Sequence, residues 1–179
     1  MGSRLPRTFF ARAPEIVAHE LIGCALVVTH SDRQLRARIV ETEAYDGAND
    51  PASHAFRGPT PRTEIMFGPA GHVYVYRSYG IHWCMNIVTG SPGVASAVLL
   101  RGGQFLMEPA NDHTNMRGPG LLTRALGVTG DDNGEDVCRN PPGKFSFASA
   151  PKGEPVRVGR STRIGITKAQ DRLWRFFEE

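Results

Sequence analysis

Lysine is nearly missing from this chain of 179 residues: Lys144, Lys152 and Lys168 are the whole set, and arginine supplies the rest of the 21 basic residues. A guanidinium fork matches phosphate oxygens in two-point contacts, which an ammonium cannot do. A compositional bias towards arginine accounts for the excess equally well. Cysteine is also scarce. Cys24, Cys84 and Cys138 are odd in number, far apart and form no C-x-x-C. This excludes a disulfide framework and a zinc ribbon, and leaves free thiols, mostly buried, in a reducing compartment. The six histidines contain no H-x-x-x-H pair. No apolar run approaches the roughly eighteen residues of a membrane span, so no membrane association is expected. Residues 1–10 carry Arg4 and Arg7 without an apolar stretch, so no secretory leader is expected either.

The length suits one domain over residues 1–179. A net charge of +3 is mildly basic and by itself only a weak pointer to nucleic acid. Residues 14–22 predict a helix, with Pro14 in its first turn and Gly23 as its stop. Cys24–Thr29 predicts a strand, and residues 34–45 predict the returning one. Residues 46–71 predict a long loop, of the kind that carries function in compact domains. His72–Ser78 and His82–Val88 predict a β-hairpin with Tyr79, Gly80 and Ile81 at its tip. Ala95–Arg101 predicts a further strand and residues 119–126 a helix ended by Gly127. Residues 131–153 predict a polar loop, and residues 154–167 more strand. The fold expected is α+β: a single domain with mainly antiparallel strands and few helices.

In the strand at 34–45, regular alternation puts Leu35, Ala37, Ile39, Glu41, Glu43 and Tyr45 on one face. Carboxylates that continue an inward apolar face are either strongly paired or placed for chemistry. Glu43 fits either description. Tyr74, Tyr76 and Tyr79 fit ordinary strand aromatics, His54 a solvent-exposed loop residue, and Arg101 a surface cation. Asn86 is less at ease, because Asn is depleted in strands and its amide needs partners when buried.

Taken together and in order, RARIVETEAYDG, GHVYVYRSYGIHWCMNIVTG, AVLLRG and RGPGLLTRALGV resemble the alkyladenine (3-methyladenine) DNA glycosylase family of the mammalian type. GCALVV, RIGI and LWRFF extend the resemblance over roughly Phe9 to Phe177. It implies a curved antiparallel sheet from which a DNA-intercalating hairpin protrudes. It implies Glu43 as the general base that activates water, with Arg101 and the backbone carbonyl of Ile164 helping to hold that water. It implies Tyr45, His54 and Tyr76 around a flipped base, Asn86 on the pocket floor against the 2-amino group of guanine, and Tyr79 as the wedge left in the duplex. The family pattern often has lysine where this chain has Leu121, which removes a phosphate or helix contact.

The chemistry implied is consistent with these residue types. A base inside a duplex must be extruded before its glycosidic carbon can be reached, at a cost of a few kcal/mol. Aromatic rings stack on any base and attract a cationic one by roughly 0.5–2 kcal/mol. Purines alkylated at N3 or N7 carry that charge and have weakened glycosidic bonds, so one carboxylate and one water suffice. No lysine lies in the matched motifs, so an imine-forming, strand-cleaving mechanism lacks its usual nucleophile. The histidines and cysteines lack the spacing of a zinc deaminase. The expected activity is therefore hydrolytic release of 3-methyladenine, 7-methylguanine or hypoxanthine from double-stranded DNA, without a cofactor or metal. The expected protein is a monomer of the cytoplasm and nucleoid, or of the nucleus in a eukaryote. A non-catalytic damaged-DNA-binding or RNA-binding module of the same fold is the alternative.

Overall fold

The computed structural model describes residues 2–107, 115–151, 153 and 156–179. Among them eight strands form one antiparallel sheet: β1 (Ala25–Thr29), β2 (Gln34–Tyr45), β3 (Val73–Ser78), β4 (His82–Thr89), β5 (Ser96–Phe105), β6 (Phe145–Ala148), β7 (Val158–Ser161) and β8 (Arg175–Glu178). The order across the sheet is β3-β4-β5-β2-β1-β6, and β8 pairs with both β2 and β7. The twelve-residue β2 organises the fold. One edge pairs with β5, while the other takes β1 along its first half and β8 along its second. Three helices are described: α1 (Arg7–Phe10), α2 (Pro14–Leu21) and α3 (Pro119–Leu126).

Alternation in β3, β4 and β5 divides the sheet into two faces. Val73, Val75, Met85, Ile87, Val98 and Leu100 point into the main core, together with Val17 and Leu21 of α2 and Leu122 and Leu126 of α3. Tyr74, Val88 and Ala97 point the other way and pack with Ala55 and Met66 from the 46–71 loop. That loop, partly ordered by a 3-10 turn at Glu64–Phe67, therefore roofs the second face.

The expected pleat of β2 does not hold. Ile39 and Ala44 both lie in the main core, yet a spacing of five puts residues on opposite faces of a regular strand. The break is a pair of offsetting bulges. Ile39 pairs with Gly103, Glu41 with Gly102 and Thr42 with Leu100, so Val40 is the extra residue on β2 and Arg101 the extra one on β5. Leu35, Ala37 and Ile39 thus face the core, whereas Glu43 and Tyr45 face the roofed side. Glycine at 102 permits the close approach: a Cβ there would stand 3.0 Å from Cβ of Glu41.

Other boundaries also moved. The first long helix ends at Leu21, and β5 runs on to Phe105 through the two glycines. The 131–153 region contains β6, whose Phe145 and Phe147 are buried against β1. The strand expected over residues 154–167 is confined to Val158–Ser161; residues 154 and 155 lie outside the described ones. The LWRFF segment supplies β8, which had not been expected as a strand.

Candidate active site

Cross-strand register builds the site. Tyr74 pairs with Asn86, Asn86 with Leu99, Leu99 with Glu43, and Glu43 with Arg175. A single row across the sheet thus carries a phenol, an amide and a carboxylate on the roofed face. Over this row lies a cavity of about 620 Å³. Its walls include Tyr45, His54, Tyr76, Asn86, Arg101 and Ile164, and Tyr79 stands at its mouth. Ser53, Arg62, Cys84 and Lys168 also contribute.

Glu43 lies one layer beneath this wall with its side chain 0% exposed. Tyr45 Oη–H donates to Oε2 at 2.8 Å, and the Ile164 N–H donates to Oε1 at 2.8 Å. Arg101 Nε stands 3.4 Å from Oε1. All three partners border the cavity, so the carboxylate meets it through them. It is the Ile164 amide N–H, rather than the carbonyl, that touches Glu43. Burial and the adjacent Glu43 charge push the Tyr45 phenol well above its ordinary range, so it remains a proton donor.

The aromatic groups are fixed from behind. Arg163, itself buried and outside the cavity lining, lies 4.6 Å from the centroid of the Tyr45 ring, which lines the cavity. Arg163 Nη2 donates to Asp50 Oδ1 at 2.9 Å, and Nη1 donates to the Ala44 carbonyl at 2.9 Å. This fully buried pair ties the roofing loop to the loop that carries Ile164. His54 packs edge-on against Tyr76 at 4.6 Å, with Nδ1 3.1 Å from the Tyr74 hydroxyl. His54 keeps part of its surface exposed, and partial burial, then the Arg62 charge, holds its imidazole below the ordinary value. Asn86 Nδ2 donates to the Tyr74 carbonyl at 3.1 Å, which fixes the amide on the cavity wall.

The hairpin tip is strained and bare. The Ile81 N–H donates to the Ser78 carbonyl at 3.0 Å, and the two central residues have φ of 49° (Tyr79) and 69° (Gly80). Positive φ at both places is the signature of a type I′ turn, which favours Gly or Asn. Tyrosine there carries a strain of about 1–2 kcal/mol, and its side chain is 93% exposed. Strand alternation does not extend into this turn, so Tyr76 and Tyr79 border the same cavity, one at its wall and the other at its rim.

Several neighbours were not anticipated as part of the site. Glu41 Oε1 accepts from Arg101 Nε at 2.9 Å and from Arg175 Nε at 2.6 Å. Glu41 stands two residues before Glu43 in the same motif, but its partners come from distant strands. Tyr74 and Arg62 join the aromatic cluster, and the exposed Lys168 reaches the cavity although no motif contains it. Among the described residues, no cluster of three or more His, Cys, Asp or Glu side chains is arranged to hold a metal. No helix among them is long and apolar enough to cross a membrane.

An aromatic box over a buried carboxylate, beside a hairpin that holds out a bare ring, meets the demands of an enzyme that acts on a base taken out of a duplex. Residues 8–179 match the methylpurine-DNA glycosylase family, and the chain belongs to that family of DNA-repair hydrolases. It is 45% identical over 183 residues to a protein of Methanoculleus marisnigri, covering 97% of this chain and 94% of that one. It is 44% identical over 189 residues to a protein of Rhodopseudomonas palustris, covering 98% and 85%. A protein of Carboxydothermus hydrogenoformans is 42% identical over 189 residues, covering 97% and 94%. All three are named as candidate 3-methyladenine DNA glycosylases.

Proposed function

We propose that this chain releases alkylated purines, 3-methyladenine and 7-methylguanine among them, and also hypoxanthine, from double-stranded DNA by hydrolysis. The observation that carries this reading is the position of Glu43: a buried carboxylate whose partners Tyr45, Arg101 and Ile164 all form the wall of an aromatic cavity. Tyr79 fills the space vacated in the duplex. The flipped base enters between Tyr45 on one side and His54 with Tyr76 on the other. The lowered His54 pKa favours the imidazole form that adds no positive charge against a cationic purine. Asn86 meets the face of the base that bears an amino group only in guanine.

Water held by Arg101 and the Ile164 carbonyl reaches Glu43 from the cavity side. Its oxygen bonds to C1′ as the C1′–N bond breaks, and the bond's electron pair returns to the purine: this neutralises an N3- or N7-alkylated base, whereas hypoxanthine, uncharged in the strand, takes up a proton from solvent water as it leaves. The water proton passes to Glu43. The product is an intact strand with an abasic sugar. Each duplex lesion is met by one copy of the chain, wherever the chromosome lies.

The test is a panel of duplexes, each with one lesion, assayed under single-turnover conditions with the wild type and Glu43→Gln. Glutamine keeps the shape but cannot take the proton. The excision rate is expected to fall by about 10²–10⁴-fold, with binding to an abasic-analogue duplex kept within a few-fold. Excision at the wild-type rate by Glu43→Gln removes Glu43 as the base. Binding without release by the wild type leaves a damaged-DNA-binding module.

A further inference from the structure

Two carboxylates compete for one guanidinium beneath the cavity. Arg101 Nε lies 2.9 Å from Glu41 Oε1 and 3.4 Å from Glu43 Oε1. Glu41 is not a free competitor, because Arg175 Nε also donates to its Oε1 at 2.6 Å. Arg175 is in turn held by Ser161, whose Oγ accepts from Nη1 at 3.0 Å. The paired bulges in β2 and β5 create this crowding. Arg101 is the extra residue of one bulge, and Glu41 lies between the two. Two acids and two guanidinium groups from three strands therefore share one charge-balanced cluster, and only Glu43 has a donor from the cavity loop.

We infer that Glu41 is a positioning residue for the hydrolysis: by holding Arg101 it keeps that guanidinium from closing onto Glu43, and so leaves a Glu43 oxygen for the attacking water. This rests on the reading of Glu43 as the base. Coulomb attraction between opposite charges grows as they approach. Without the Glu41 charge, Arg101 is left with Glu43 as its carboxylate partner and moves onto it. Without the Arg175 charge, Glu41 has only Arg101 and draws it further from Glu43. The two changes act on Glu43 in opposite senses. The other charged or titratable groups around the cluster include the Tyr45 phenol from β2 itself, the Cys84 thiol from β4, whose burial pushes it above its ordinary value, and Arg163 from the loop after β7, and neither variant alters them. Burial by itself would raise the Glu41 pKa, but its hydrogen bonds from Arg175 and Arg101 outweigh this and hold it below the ordinary carboxylate value, so Glu41 stays ionised over the working range.

The experiment is the pH–rate profile for release of 7-methylguanine from a duplex, for the wild type, Glu41→Gln and Arg175→Gln. That base is permanently cationic, so its own protonation does not shape the acid side of the profile. Rate rises with pH as the base ionises. In Glu41→Gln the acid limb is expected to move to lower pH by about one unit, with a plateau reduced roughly tenfold because the base is weaker and more crowded. In Arg175→Gln the limb is expected to move to higher pH. A limb shift of the same size in an Arg101→Met background, the mark of charge acting through space without Arg101, would leave Glu41 and Arg175 no positioning role. That result, or limbs that move in the same direction, overturns the inference. If Glu41→Gln fails to fold, Arg175→Gln decides alone: an upward shift that is lost in the Arg101→Met background supports the assignment, and an unmoved limb, or one that moves equally there, sinks it. Absence of any release by the wild type instead defeats the hydrolytic reading, and this inference with it.

Discussion

The two faces of β3, β4 and β5 are made of alternate residues from the same three segments, yet they follow different rules. On the core face stand Val73, Val75, Met85, Ile87, Val98 and Leu100, all buried and none with a polar side chain to satisfy. On the cavity face stand Tyr74, Tyr76, Cys84, Asn86, Ala97, Leu99 and Arg101, joined from β2 by Glu43 and Tyr45. Asn86 and Glu43 are as buried as the valines opposite them. Burying polar groups costs free energy unless each finds a partner, and here the partners are supplied one by one from four strands and two loops. A second apolar layer would hold the roof more simply. The polar row is therefore the part of the sheet that stability does not explain. Changes to the core face should register in unfolding, and changes to the cavity face in catalysis and selectivity.

The Asp50–Arg163 pair is where that division should break most strongly. Both side chains are fully buried behind Tyr45 and outside the cavity lining, and they pin the two loops that carry His54 and Ile164. Asp50→Asn leaves the Arg163 charge buried without its counter-charge. The unfolding free energy is expected to fall by about 3–5 kcal/mol, more than for most core-face truncations by a methylene. Urea unfolding of the purified variant measures this. A loss under about 1 kcal/mol would show the pair to be solvated in solution.

What could be read from the sequence follows the same division. The core face of β3 to β5 has a period of two and is visible in any window of the hairpin. So are the helix at Pro14, the turn at Tyr79–Gly80 and the awkwardness of Asn86. Strict alternation carries Leu35 through to Tyr45 and puts Glu43 on the core face, whereas the structure puts it on the other. The bulge that reverses it depends on Gly102 lying opposite Glu41, a pairing between residues some sixty positions apart. The anchors Asp50–Arg163 and Glu41–Arg175 are separated by 113 and 134 residues, and nothing near either partner announces the other. Phe145 and Phe147 alternate as a strand should, but the Pro and Gly around them outweighed a four-residue pattern. Lys168 is exposed and lies in no motif; only the fold brings it to the cavity. Its presence makes borohydride trapping a useful control during turnover.

Asn86→Ser should sharpen the comparison at an intermediate scale. Asn86 donates to the Tyr74 carbonyl and is fixed on the wall of the cavity. If it excludes the guanine 2-amino group, serine makes room. Release of guanine relative to 3-methyladenine is expected to rise by about tenfold to a hundredfold, with little change in melting temperature. The same variant on the core-face reading would lose stability and gain no guanine release. Undetectable guanine release with unchanged alkyladenine release would assign Asn86 to satisfying the Tyr74 carbonyl.

Tyr79 belongs to neither face, and the smallest effect is expected there. Its φ of 49° stores strain in a turn that glycine or asparagine would fill more easily. Its ring is 93% exposed, so no packing repays that strain. A wedge accounts for both features, since the ring is then stacked only when the chain is on a duplex. Replacing the stacking of the extruded nucleotide is worth about 1–3 kcal/mol by analogy with base–aromatic stacks. Tyr79→Ser is therefore expected to slow release by roughly tenfold from a well-paired lesion. The loss should be least from a bulged lesion, where little stacking is broken. Because an exposed turn residue supports no packing, the melting temperature should hold. Relief of strain should even raise it slightly in Tyr79→Gly, while the slow release from paired lesions persists. Equal slowing on paired and bulged duplexes, together with a lower melting temperature, would instead make the ring a structural part of the hairpin.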